Sequence, residues 1–284
     1  MTALPPPKAC DFHGLPALAL SAPDGACAII TLHGANLVSW IPAGGAERLF
    51  LSEKAVFDGQ RALRGGVPVI FPQFGGEGPL RHGFARGLPW EVVGARSGED
   101  YATATLLLND SAATRALWPH AFSAEMTVLL SGNRLDMELE VANSDNRPFS
   151  FTAALHTYLR VKEVENVSLT GLQNQRYLDQ TRKGQQETDR REALVVDDEV
   201  DRIYLGVTNP VLLSQPGGIA VAMQQEGFED VVVWNPWEEK CAALPDMPKD
   251  GFRRMLCVES AAAAKPVALE PGDTWFGRQT LVAL

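Results

Sequence analysis

The sequence predicts a predominantly antiparallel β protein of the sandwich or barrel type, on three observations. Short segments with alternating apolar and polar residues recur through most of the chain, each cut off within a few residues by Gly, Pro, Asn or Asp. One of them reads directly as a hairpin. Helical periodicity is almost absent, so the layers that bury the core must be sheets.

In chain order the strand-like segments are "ACAIITLHGANLVSWI", "ATATLLLND", "SAEMTVLLSGNRLDMELEVANS", "FSFTAALHTYLRV", "VSLTGL", "PVLLSQPGGIAVAMQQ", "FEDVVVWNP", "RMLCVES" and "AKPVALEPGDTWFGRQTLV". The hairpin is the third: "TVLL" runs in, "SGN" turns, and Leu135, Met137, Leu139 and Val141 alternate against Asp136, Glu138 and Glu140 on the way out. In "LHTYLRV" alternation over Leu155–Val161 puts Leu155, Thr157 and Leu159 on one face and His156, Tyr158 and Arg160 on the other. "DSAATRALWPH" has room for one or two helical turns before Pro119, and "DMPKDGFRRML" for another short turn. The polar stretch "QNQRYLDQTRKGQQETDRREA" reads as a surface loop or hairpin arm. No linker, composition break or fixed-period repeat divides the chain, so one domain over residues 1–284 is expected.

Composition narrows the function classes. Of 284 residues, 45% are hydrophobic, enough for a large core, yet no run approaches the roughly 18 apolar residues of a membrane-spanning helix. "MTALPPPKACDFHG" has no apolar centre and does not read as a secretory signal, so a cytoplasmic location is expected. Cys10, Cys27, Cys241 and Cys257 show no C-x-x-C spacing and read as buried free thiols. A net charge of -10 argues against a nucleic-acid partner, which makes a local arginine cluster informative.

That cluster lies in "RALRGGVPVIFPQFGGEGPLRHGFARGLPWEV", Arg61 to Val92. Its glycines let backbone approach a ligand closely, and arginine forks suit oxyanions; the alternative is a solvated loop whose arginines pair with the surplus acids. Glu259 ends the apolar run of "MLCVES", where a carboxylate is costly unless paired or used; the alternative is a strand-end glutamate in solvent. His156 is able to exchange protons near neutral pH, or to serve as a hydrogen-bonded structural residue. No second His or Cys stands at metal-ligand spacing from it, so no metal is expected.

Six segments in order, "RGGVPVIFPQFG", "HGFARGLPWEV", "ALHTYLRV", "EVDRIY", "DVVVWNPW" and "MLCVESA", resemble the aldose 1-epimerase-like family, in its branch acting on hexose 6-phosphates. The resemblance implies a galactose-mutarotase-type antiparallel β-supersandwich, no metal and no organic cofactor. The implied activity is interconversion of the α and β anomers of a sugar phosphate. It places the catalytic histidine on His156 and the catalytic glutamate on Glu259, with Arg64, Arg86 and Asp201 contacting the substrate and His82 lining the pocket. Some relatives carry a neutral amide where this chain has Arg81, which is then an extra phosphate ligand or a surface charge. Trp234 is assigned to pack on the sugar ring. The implied partner is a small-molecule sugar phosphate, with a monomer expected ahead of an obligate oligomer and no membrane contact. A mutarotase of free aldoses and a non-catalytic carbohydrate-binding β-sandwich are the competing readings; the arginines favour the phosphorylated sugar, because free hexose offers only neutral hydroxyls.

Overall fold

The computed structural model describes residues 7–76 and 80–284; residues 77–79 of the glycine-rich segment and the first six residues lie outside that description. Antiparallel strands account for its three sheets, as the alternating pattern predicts. The strands Lys8–Phe12, Leu15–Ser21, Cys27–Thr31 and Leu37–Ile41 form a four-stranded sheet in sequence order. A nine-stranded sheet contains the hairpin Phe122–Ser131/Arg134–Asn143, whose second strand pairs with the sheet's central strand, Thr274–Ala283. After exposed Arg134, both hairpin strands alternate between buried and half-buried residues, and the buried set includes Leu135, Met137, Leu139 and Val141.

The eight-stranded sheet carries His156, Glu259, Asp201 and Trp234, or the chain next to them. Its central order is Arg176–Asp179, Val200–Tyr204, Asp230–Asn235, Met255–Leu269, Phe149–Leu155 and Val69–Ile70. One face packs on the nine-stranded sheet through aromatic contacts such as Phe71–Phe122 and Phe151–Trp275. Behind the site, buried Gln279 of the nine-stranded sheet donates to the Val258 carbonyl and the Ser260 hydroxyl and accepts from Thr157. A buried amide satisfied in this way fixes the backbone on either side of His156 and Glu259.

Several local expectations change. The strand read over Leu155–Val161 is broken: Phe149–Leu155 ends, Tyr158–Arg160 begins, and the Thr157 N–H donates back to the Leu155 carbonyl. Both pieces still pair with Met255–Leu269, so the faces assigned by alternation hold. The strands Lys8–Phe12 and Leu15–Ser21 were not among the expected elements, because "LPALALS" is apolar at nearly every position and hides its period. Helix Trp237–Ala243 is likewise additional; seven residues are too few for periodicity, although Glu238 and Glu239 in the first turn and Lys240 in the last match the helix dipole. The short turns come out as helix Ala112–Leu117 and a 3-10 turn over Gly251–Arg254, and the polar 173–193 stretch contains the hairpin Arg176–Asp179/Gln185–Thr188. Of the cysteines, Cys241 and Cys257 are buried, whereas Cys10 is half-buried and Cys27, at the start of its strand, is exposed.

The arginine-bearing segment is held down by backbone. Val69–Ile70 pairs with Ala154 and Leu155, and Phe71 bridges to Gly83, so the chain folds back and lays His82 against His156. Gly83 has φ 66°, and a Cβ there would collide with the Phe71 carbonyl. Gly83→Ala is therefore expected to cost about 2 kcal/mol or more, since the left-handed conformation alone costs an L-residue roughly 1–2 kcal/mol. An unchanged urea midpoint would show that this close approach is not needed.

Candidate active site

Strand register assembles the site in rows. Asp201 pairs with Trp234, Trp234 with Cys257, and Cys257 with Tyr158, so these four side chains form one line across four neighbouring strands. One step along, Ile203, Val232 and Glu259 form the next line on the same face. Ile203, Val232, Ile70, Ala154 and Ala261 make an apolar patch beside the Glu259 carboxyl.

His156 and Glu259, 103 residues apart in sequence, meet there: Nε2 lies 3.3 Å from Oε1, with the histidine side chain 12% exposed and the glutamate 1%. Burial pushes the Glu259 carboxyl well above the usual range, and the Asp201 carboxylate adds to it. Burial also pulls the imidazole well down, helped by His82, Arg86 and Arg64. The roles that the resemblance implies call for a glutamate raised by burial, which agrees, and for a histidine held protonated by a neighbouring acid, which does not. The pair instead carries its proton on Glu259, because a desolvated ion pair beside cationic groups is disfavoured. Glu259 Oε2 and His156 Nδ1 are buried and have no protein partner.

The surrounding groups are firmly placed. Arg64 donates from Nε to Asp246 and from Nη1 to the Tyr158 hydroxyl, both at 3.1 Å. Burial opposes its charge, but Tyr158 and Asp246 outweigh that and raise its affinity for the proton. Tyr158 in turn stacks on His156 with ring centroids 4.8 Å apart and planes at 13°. Trp234 meets both rings edge-on at 6.1 Å. Arg86, half-buried, donates to the Arg81 carbonyl, while the Arg81 side chain is exposed at the rim. His82 adopts φ 57°, its ring lies 5.9 Å from His156, and its Nδ1 accepts from the Gly75 N–H. Burial, with Arg86, Arg81 and Arg64 nearby, lowers its pKa to about 3, so it is a neutral imidazole whose Nε2 carries the hydrogen.

The candidate residues named from the sequence thus gather in one cluster of side chains, His156, Glu259, Asp201, Trp234, His82, Arg64 and Arg86, with exposed Arg81 on its edge. Two residues went unassigned. Tyr158 was read only as sharing the histidine's face, and Cys257 only as a thiol. The signal for Cys257 was its place two residues before Glu259, which puts both on one face of a strand. Cys257 Sγ, a His156 ring nitrogen and a Glu259 oxygen lie within 4.8 Å of one another, a donor set that could hold a metal ion despite the absence of sequence spacing. A separate groove of about 330 Å³ beside Phe12, His13 and Phe57 contains Glu47, but that carboxylate accepts from Ser39 and from the N–H groups of Trp40 and Leu49, leaving little for a ligand.

Asp201 offers a stability test. Burial, offset in part by Lys240 and Arg81, raises its pKa from 3.8 to about 6. A raised carboxyl favours the folded state while protonated, so this contribution is full below about pH 4 and is lost as pH rises to about 6. At pH 7, Asp201→Asn should therefore be more stable than the parent by up to about 3 kcal/mol, one pKa unit being about 1.4 kcal/mol. The gap should open between pH 4 and 6 in denaturant titrations and stay flat above. A variant less stable at pH 7 would contradict the desolvated-carboxylate reading.

The comparisons with known proteins agree with this architecture. The sequence profile of the family described as aldose 1-epimerase matches residues 16–281. A protein of Cenchrus ciliaris named "Putative glucose-6-phosphate 1-epimerase" is 37% identical over 281 residues, covering 95% of this chain and 85% of its own. One of the same name from Escherichia coli K12 is 35% identical over 248 residues, covering 84% and 80%. The crystal structure of the "putative mutarotase (YeaD)" of Salmonella typhimurium superposes with a TM-score of 0.90 at 30% identity, over 98% of this chain and 94% of that one. No helix of the described residues is long and apolar enough to cross a membrane. With the profile match and these relatives spanning most of its length, the chain belongs to the aldose 1-epimerase family.

Proposed function

We propose that the protein interconverts the α and β anomers of hexose 6-phosphates, glucose 6-phosphate foremost, by acid–base opening and closing of the sugar ring. The observation that carries this reading is the buried His156–Glu259 contact of 3.3 Å, with the Arg64 guanidinium one tyrosine away. The two oxygens that must exchange protons, O1 and the ring oxygen, are bonded to the same carbon. Two polar atoms this close can serve both at once.

Once the shared proton has passed from Glu259 to His156, Glu259 as carboxylate takes the proton from the C1 hydroxyl while His156 as imidazolium gives one to the ring oxygen. The C1–O5 bond breaks as the C1 carbonyl forms. Rotation about C1–C2 presents the other face of the aldehyde, and the two groups run the step backwards, returning each proton. Each group contributes on the order of 100- to 10,000-fold. Trp234 offers an apolar wall to the ring, and Asp201 and His82 offer partners for hydroxyls. The phosphate is assigned to Arg64 and Arg86, with Arg81 at the rim, because a buried dianion requires charge-assisted donors. The names of the relatives above support the phosphorylated substrate.

Anomer-exchange NMR on glucose 6-phosphate, other hexose 6-phosphates and free glucose tests the reading. Faster exchange of the phosphorylated sugars is expected. Equal efficiency on free glucose would make this a mutarotase of free aldoses, and calorimetric binding without any rate effect would make it a carbohydrate-binding module.

A further inference from the structure

We infer that Cys257, His156 and Glu259 form a binding site for a thiophilic divalent cation, Zn²⁺ or an ion of its class, which shuts the acid–base pair down when it binds. The inhibition, but not the binding, rests on the hexose-phosphate reading of this site.

The fold brings the three donors together. Cys257 and Glu259 lie two residues apart on one face of Met255–Leu269, and His156 stands in the break between Phe149–Leu155 and Tyr158–Arg160, both of which pair with that strand. The donor atoms all lie within 4.8 Å of one another, and the His156–Glu259 pair is already at 3.3 Å. Zinc bonds of about 2.0–2.3 Å at tetrahedral angles set donors about 3.5 Å apart. The pair has that spacing, so only the thiol has to move, by a little over about 1 Å at most, and rotation about χ1 of the cysteine carries it inward.

Two further observations point to a cation. Glu259 Oε2 is buried without a protein partner, in a side chain 1% exposed, and a carboxylate oxygen so placed is left for something the chain does not supply. Cys257 is fully buried beside the pair, and ring opening gives its thiol no task.

The donor set selects the ion. A thiolate, an imidazole and a carboxylate suit zinc and its neighbours, whereas Mg²⁺ and Ca²⁺ take oxygen ligands. Thiolate and carboxylate together balance the divalent charge, so the buried complex is neutral, and the nearby Arg64 guanidinium keeps its own counter-ion in Asp246. The ion enters from the side of His156, whose side chain is 12% exposed. Three protein ligands leave a fourth position for water. On binding, the thiol proton and the proton shared by the pair go to solvent. The lone pairs with which His156 and Glu259 exchange protons with the sugar then bond to the metal, so the ion acts as an inhibitor and not as a cofactor.

Co²⁺ is the probe, because a thiolate bound to it gives a charge-transfer band that water and carboxylate ligands do not. The whole protein is titrated in a Cys10→Ser/Cys27→Ser background, which removes the two thiols that are not buried. A band that saturates at one equivalent and is displaced by Zn²⁺ is expected. Cys257→Ala should abolish it, and Cys257→Ser, which keeps the shape, should weaken Zn²⁺ binding by about 100-fold or more, since even an outer-shell partner is worth up to about 100-fold. In parallel, exchange of glucose 6-phosphate is followed by NMR at a free Zn²⁺ concentration fixed by a metal buffer, against each protein's own metal-free rate. The parent should lose most of its exchange and regain it with EDTA, and Cys257→Ala should resist. No band in the parent, or a band that survives Cys257→Ala, overturns the site. A band with undiminished exchange at saturating Zn²⁺ overturns the inhibition. Absence of exchange in the metal-free parent overturns the functional reading and leaves the binding result standing.

Discussion

Glu259→Gln should lose anomer exchange by a factor on the order of 100 to 10,000, approaching the uncatalysed rate, while the protein stays folded. Glutamine matches the shape of the carboxylic acid but can neither give up nor take a proton. The side chain is 1% exposed on a strand buried along its first eight residues, so its surroundings hold the replacement where the original stood. The stability change has a definite sign. Because burial raises the Glu259 carboxyl far above its ordinary range, the unfolded chain gains by ionising at neutral pH, and glutamine removes that gain. The variant should therefore be inactive in NMR exchange and melt no lower than the parent at pH 7, the pattern of a group kept for chemistry at the expense of stability. Exchange at the parental rate would remove Glu259 from the mechanism.

Arg64→Ala should lower kcat/KM for glucose 6-phosphate by roughly 10- to 150-fold, as expected for losing a charged hydrogen bond of about 1.5–3 kcal/mol. The loss on free glucose should be distinctly smaller, since only the phosphorylated sugar presents a dianion. Asp246, left without its partner, is 23% exposed and can be hydrated, so a collapse of the fold is not expected. If both sugars lose the same factor, the assignment of phosphate to this arginine fails.

How much of this was legible in the sequence differs by element. The hairpin Phe122–Ser131/Arg134–Asn143 was readable residue by residue because one face is buried and the other is not, so burial is written as alternation. "LPALALS" and "MLCV" carry no such record, since nearly all their positions are apolar. The break at His156–Thr157 was invisible, because it depends on a hydrogen bond from Thr157 back to Leu155 and on Gln279 arriving from another sheet.

For the site, the sequence by itself determined the candidates, one histidine, one glutamate and a set of arginines, and through alternation that His156 and Tyr158 share a face. Ordered motifs made the family recognisable. Only the tertiary structure decided the relations among them. Glu259 meets His156 because Phe149–Leu155 and Tyr158–Arg160, which flank the histidine, both pair with the same long strand, which is a matter of register between segments far apart in the chain. Cys257 joins the cluster for the same reason. The state of the acid–base pair is tertiary as well: burial against Ile70, Val232 and Ile203 raises the glutamate, and burial with His82 and the arginines close by lowers the histidine. Charge on a side chain depends on the dielectric and the neighbours that folding brings to it, and neither is local to the residue.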